Sequence, residues 1–233
     1  MRLKTALAVM SLSLACLLPR VGFADSLTFL GVPAGSQEVD NEFVYPYLFN
    51  VTGSGGTDTN VALSCLNYNF NINPNESWGV TAINVGSINA GFTTVVGGTT
   101  FTGTQIIEDA YLYNQYAAAV GNAQTTSDIQ FAIWDIMDPG VGGNTGLDSG
   151  ALGLVTAAQN NALSQPSSDY ANDSLLIPIA GTQTPGNGTP QMFMTDPAPP
   201  ALTPEPASLV LLGTGMLGAV AIMRRRRVNA VKA

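Results

Sequence analysis

The stretch TTSDIQFAIWDIMDPG, Thr125–Gly140, decides how the middle of this chain is read. Thr126 and Ser127 are helix-capping residues, and Ile129, Ala132, Ile133, Ile136 and Met137 then recur at helical spacing until Pro139-Gly140 stops the run. The preceding stretch, TQIIEDAYLYNQYAAAVG, repeats that period through Ile106, Ile107, Ala110, Tyr111, Ala117 and Ala118, and Gly121 closes it. A third helix is expected from Ser149 to Leu163.

On either side the period changes to two. NEFVYPYLFNVTG puts Phe43, Tyr45, Tyr47, Phe49 and Val51 on one face by alternation. ALSCLNYNFNINPN puts Leu66, Tyr68, Phe70 and Ile72 on one face and Asn67, Asn69, Asn71 and Asn73 on the other. SWGVTAINVGSI and AGFTTVVGG add further strands, and SLLIPIAG and PQMFMTD close the series. The order strands, helices, strands predicts an α+β fold, a β-rich single domain with a central pair or trio of helices.

Charge narrows the function. Among 233 residues all eight cations lie near the ends, and from Val21 to Met223 there is no Lys, Arg or His, while all sixteen carboxylates fall in that stretch. A body without cations cannot displace counterions from phosphates, so nucleic acid is excluded as a partner. Without His there is no Ser-His or Cys-His pair and no imidazole ligand, and no catalytic residue, metal ligand or cofactor is expected. The acidic pairs Glu108-Asp109 and Asp135/Asp138 do not look like an acid and base across a cleft, so the chain is not read as an enzyme. Asp135, Asp138, Asn144 and Asp148 share a Gly-rich loop without the spacing of a calcium loop. Trp78, Trp134 and the tyrosines suit either a sugar-binding surface or a core.

Both ends carry targeting signals. Residues 1–24 have a basic start at Arg2 and Lys4, an apolar core too short to span a bilayer, and small residues at Gly22 and Ala24, which predict a signal peptide cleaved after Ala24. Residues 25–195 then form the body, and 196–203 a Pro-rich linker. In the tail, Gly213, Gly215 and Gly218 mimic a dinucleotide-binding turn, but too little chain follows for the helix and second strand that fold needs. Ala207–Met223 carries no charge and is about 25 Å long as a helix, enough for a short transmembrane span. Arg224, Arg225, Arg226 and Arg227 fix its orientation, with the body outside.

Pro204-Glu205-Pro206, the apolar span and the terminal arginines together resemble the PEP-CTERM sorting signal of exported proteins in biofilm-forming Gram-negative bacteria. The resemblance covers residues 204–227. It implies processing by signal peptidase and then by an exosortase, with membrane passage only in transit. The precursor would sit in the inner membrane with its body on the periplasmic side. The mature protein would reach the cell surface or the extracellular matrix, in company with exopolysaccharide.

After signal cleavage Cys65 is the one cysteine left. Its plain reading is a small apolar residue on a strand. IQFAIWDIMDP resembles the glutamine motif of bacterial thioester domains, with Ile129, Gln130, Ile133 and Trp134 fitting the pattern and Cys65 in ALSCLNYNF as partner. Ser64 stands where that family has an aromatic residue or Leu. The resemblance implies an internal Cys65–Gln130 thioester and covalent adhesion to amines or hydroxyls on another surface. The residues by themselves also admit Gln130 as an exposed polar residue, or as a buried amide tying helix to sheet. The protein would then be a non-catalytic structural matrix component.

Overall fold

The computed structural model describes residues 26–33, 38–39, 42–53, 56–119, 122–140, 149–186 and 189–196. The chain divides into two compact units, 1–200 and 201–233. The second unit, with the expected sorting segment and transmembrane span, lies outside the described residues, as do the signal peptide and all of the linker but Asp196. Among the described residues no helix is long and apolar enough to cross a membrane. What is described is a mixed, sheet-rich fold whose main helices fall between two groups of strands.

The strands are β1 (Ser26–Gly31), β2 (Glu38–Val39), β3 (Glu42–Phe43), β4 (Tyr47–Gly53), β5 (Gly56–Cys65), β6 (Ser77–Trp78), β7 (Val80–Asn84), β8 (Thr93–Val96), β9 (Thr99–Thr102), β10 (Ser174–Pro178) and β11 (Phe193–Thr195). The helices are α1 (Gly103–Tyr113), α2 (Tyr116–Ala119), α3 (Ala123–Met137) and α4 (Ser149–Asn161). Seven strands form one sheet in the order β6-β1-β4-β5-β11-β10-β7, and β2-β3 and β8-β9 are separate hairpins.

The two end strands of the large sheet, β6 and β7, are consecutive in the chain with only Gly79 between them. Ser77 pairs with Thr28 on one side and bridges Thr184 on the other. The sheet therefore closes on itself as a barrel. Its interior confirms the closure. Trp78 of β6 lies 6.2 Å from Phe193 of β11, and Phe49 of β4 lies 4.6 Å from Phe193 and 5.9 Å from Trp78, measured between ring centroids. Rings from strands far apart in the sheet order meet only if the sheet curls round them. Both Trp78 and Trp134 are buried, so neither lines a sugar-binding surface.

The alternation expected through Tyr47, Phe49 and Val51 holds, and all three are buried on β4. Phe43 is exposed and Tyr45 half-buried outside that strand, because Pro46 has no N–H to carry the ladder backwards. The asparagine-rich run is not a strand beyond Cys65. Side chains take over its backbone bonding: Asn67 Oδ1 accepts from Met192 N at 2.7 Å, and Glu76 Oε2 accepts from Asn73 N at 2.9 Å. Such local bonds compete with a ladder.

The β8–β9 hairpin turns at Gly97-Gly98, whose φ values of 59° and 87° are those of a tight two-residue turn. Thr102 and Gln105 then form a capping box for α1, and Gln105 Nε2 also donates to Ile136 O at 2.8 Å, tying the start of α1 to the end of α3. Helix α3 begins a turn earlier than Thr126 and Ser127 suggest, because Asn122 Oδ1 caps it by accepting from Thr125 N at 3.2 Å. Asp138 ends it, before Pro139-Gly140. Helix α4 starts at Ser149 as expected and gives way to a single 3-10 turn over Ala162–Ser164.

The first helical stretch is broken. After Tyr113 the chain tightens at Asn114 and Gln115, and helix resumes at Tyr116. The break shifts the phase, so Tyr116 and Ala119 turn inward while Ala117 and Ala118 are exposed, the reverse of the unbroken period for those alanines.

Two tests follow from this packing. A Cβ on Gly103, the first residue of α1, would sit 2.0 Å from Asn89 O, a backbone atom that cannot swing away. Gly103→Ala is expected to lower stability by about 1–3 kcal/mol in denaturant unfolding. The second concerns Asp173, which accepts from Asn114 Nδ2 at 3.0 Å. Burial pushes its carboxyl up to about 6 from 3.8, with the Asn114 bond partly offsetting this and Asp196 adding to it. A carboxyl held above its unfolded value costs the fold nothing while both states are protonated, and costs progressively more as pH rises through the interval between them. The melting temperature of Asp173→Asn minus that of wild type should thus climb between pH 3.8 and about 6 and level off above.

Candidate functional site

Cys65 is the last residue of β5, at the point where the β5–β11 ladder dissolves. Its backbone still pairs with Phe193, and Leu66 N still donates to Met192 O at 3.0 Å. Beyond that, side chains hold the turn. Gln191 Nε2 donates to Asn67 O at 3.2 Å and also to Phe70 O. The Cys65 thiol is in contact with this clamp: Sγ lies 3.2 Å from Gln191 Oε1 and 3.3 Å from Asn67 O, both acceptors for its hydrogen.

Gln130 reaches the same point from α3. Its Nε2 donates to the carbonyl oxygen of Cys65 at 2.7 Å, across 65 positions of sequence. Its Oε1 accepts from the Tyr116 hydroxyl at 3.0 Å. The helix supplies the reach because Ile129, Ile133 and Trp134 are all buried around it, and Trp134 meets the Tyr68 ring edge-on at 5.2 Å. Gln130 is wholly buried and Cys65 is 1% exposed, so the thiol-bearing residue and the carboxamide meet out of water. Gln130 is thus not a surface residue of its helix.

Tyr116 completes the site from α2. Its ring stacks on Tyr45 at 4.2 Å and 17° and meets Tyr113 edge-on at 5.9 Å. Burial holds its phenol well above the usual value, so the hydroxyl keeps its proton. The nearby Ser64 hydroxyl works against that shift, though its Oγ has no hydrogen bond of good geometry among the described residues. Ser64 itself is wholly buried on β5 opposite Met194.

The other sequence candidates do not gather. Asp109 is fully buried on α1, and burial first, then the charges of Glu108 and Asp138, hold its carboxyl well above the ordinary range. Asp138 Oδ2 accepts from Tyr68 N at 2.8 Å, a structural tie between the asparagine-rich turn and the end of α3. Asn144, Asp148 and the sorting residues Pro204, Glu205, Pro206 and Arg224–Arg227 lie outside the described residues. Among the described residues no acidic or cysteine cluster is placed to hold a metal ion. Tyr116 and Gln191 were not legible as site residues. The signal for Tyr116 is the helix break at Asn114-Gln115, and for Gln191 a polar residue set directly against the apolar run Met192–Met194.

Comparison with known proteins adds the chain's address and some distant likenesses. Residues 202–227 match the family model described as the PEP-CTERM protein-sorting motif. No curated protein matches the chain. Among solved structures, the chain is similar to the N-terminal domain of the Streptococcus pyogenes pilus tip adhesin Cpa, at 14% identity and a TM-score of 0.37, over 76% of this chain and 95% of that one. It is also similar to the N-terminal thioester domain of fibronectin-binding protein SfbI from Streptococcus pyogenes, at 13% identity and a TM-score of 0.34, over 78% of this chain and 97% of that one. The chain carries a PEP-CTERM sorting motif at residues 202–227.

Proposed function

We propose that this is an exported cell-surface or matrix protein, processed by signal peptidase and an exosortase, whose body attaches covalently to a partner through a thioester between Cys65 and Gln130. The observation that carries the reading is the bond from Gln130 Nε2 to Cys65 O at 2.7 Å, which joins the two residues inside a dry site. In the reaction, Cys65 Sγ adds to Gln130 Cδ, the carbon–nitrogen bond breaks, and ammonia leaves with the thiol proton. An amine or hydroxyl on a partner surface then takes the acyl group from sulfur and returns the thiol. A body without Lys has no side-chain amine to consume the thioester from within. The sorting motif at residues 202–227 supports delivery to the surface by an exosortase, where exopolysaccharide and other surface polymers offer such groups.

A second reading, a structural matrix component that keeps the fold without the crosslink, is favoured by one contact. Cys65 Sγ lies 3.2 Å from Gln191 Oε1, the bond an unreacted thiol makes.

Intact mass spectrometry and peptide mapping of the exported protein separate the two. The expected result is a mass short by one ammonia, with Cys65 joined to Gln130 and not to Gln191, and methylamine incorporated at Gln130 on treatment. A full mass with a titratable Cys65 thiol selects the structural reading. Replacing Glu205 and Pro206 with Ala is expected to leave the precursor in the cell membrane fraction, with no shortened form released, on immunoblots of an exosortase-bearing host.

A further inference from the structure

We propose that Tyr116 is a catalytic residue of this site. Its hydroxyl is the donor that stabilises negative charge on Gln130 Oε1, first when the Cys65 thiol adds to the carboxamide and again when an outside nucleophile adds to the thioester. The inference rests on the thioester reading and goes beyond it by naming what lowers the barrier.

The orientation of Gln130 is fixed by its neighbours. The Cys65 carbonyl is an acceptor only, so the Gln130 amino group must face it, and the carboxamide oxygen must face Tyr116. The tyrosine is then the donor in that bond, at 3.0 Å, within the range of an oxyanion-stabilising contact. The oxygen it holds is the one on which charge develops in both additions. When ammonia leaves, Cys65 O loses its donor, but the bond between Tyr116 and the carbonyl oxygen has no reason to break. One donor therefore serves formation and opening alike.

Few other groups are available for the task. Stabilisation of an oxyanion is commonly provided by backbone N–H groups, amides, cations or a metal. No Lys, Arg or His exists between Val21 and Met223. Gln191, an amide in contact with the thiol, turns its oxygen toward Sγ and spends its amino group on Asn67 O and Phe70 O. A phenol is the strongest neutral hydrogen-bond acid a side chain offers here, and this one is preorganised. Its ring is 5% exposed, stacked on Tyr45 and braced by Tyr113, so little reorganisation is needed as charge appears.

The test is the rate of methylamine incorporation at Gln130 in the exported protein, wild type against Tyr116→Phe. The variant keeps the ring and removes the hydroxyl. Opening is expected to slow by about 10²–10³-fold, the usual effect of deleting one such donor. A folded variant with a free Cys65 thiol, in which the thioester has failed to form, supports the proposal equally. Tyr170→Phe, whose hydroxyl donates to Ala162 O at 2.9 Å instead, is expected to react at the wild-type rate. Equal rates for wild type and Tyr116→Phe overturn the role of Tyr116 and leave the Cys65–Gln130 reading standing. Absence of the crosslink from wild type overturns both. If circular dichroism shows that Tyr116→Phe does not fold, the decision passes to the wild-type protein labelled with ¹³C at glutamine carbonyls. Its thioester C=O stretch is expected at lower frequency in the folded state than in guanidinium, and no shift overturns the proposal.

Discussion

A carboxamide withdrawn completely from water must find its hydrogen-bond partners inside the protein, and Gln130 does so by binding three separate parts of the chain at once. Its amino group takes the last carbonyl of β5, its oxygen takes the hydroxyl on α2, and its own backbone belongs to α3. Each such bond contributes only about 0.5–1.5 kcal/mol net, but leaving one end unpaired in the interior costs about 1–3 kcal/mol. The position of every one of these elements is therefore coupled to the others. Helix α3 cannot slide along the barrel without stranding the amide. The short helix α2 cannot unwind into α1 without withdrawing the hydroxyl.

The barrel gives that amide a fixed target. Cys65 can stand at the end of β5 with its carbonyl free of the ladder because Gln191, Asn67 and Met192 replace sheet pairing with side-chain bonds just beyond it. The aromatic interior, with Phe49, Trp78 and Phe193 in contact, keeps β5 and β11 in register beneath. Below the site the structure is ordinary apolar packing. At the site it is a small network of neutral amides, a thiol and a phenol, as a chain segment without cations requires.

Much of this was legible in the residues. The period of two through Tyr47, Phe49 and Val51, and the period of 3.6 through Ile129, Ile133 and Met137, are direct consequences of burial on one face, and both hold. The pairing of Cys65 with Gln130 came from resemblance to a motif, and the structure brings the two residues together. What could not be read was wherever a side chain outbid the backbone. The asparagines after Cys65 alternate like a strand, but the side chains of Asn67 and Glu76 bond the main chain instead, and so end the strand. Asn122 caps α3 ahead of the residues whose type suggested a cap. Tyr116 enters the site only because α1 breaks two residues earlier, a phase change that an averaged period conceals.

The closure of the sheet through Ser77, Gly79 and Val80 has a consequence for how copies of this protein meet one another. An open sheet ends in a row of unsatisfied N–H and C=O groups that recruits strands from other molecules. Here the extended run from Ser77 to Asn84 serves as both first and last strand, with β1 bonded along one side and β10 along the other. The barrel therefore offers neighbouring copies little ladder to extend.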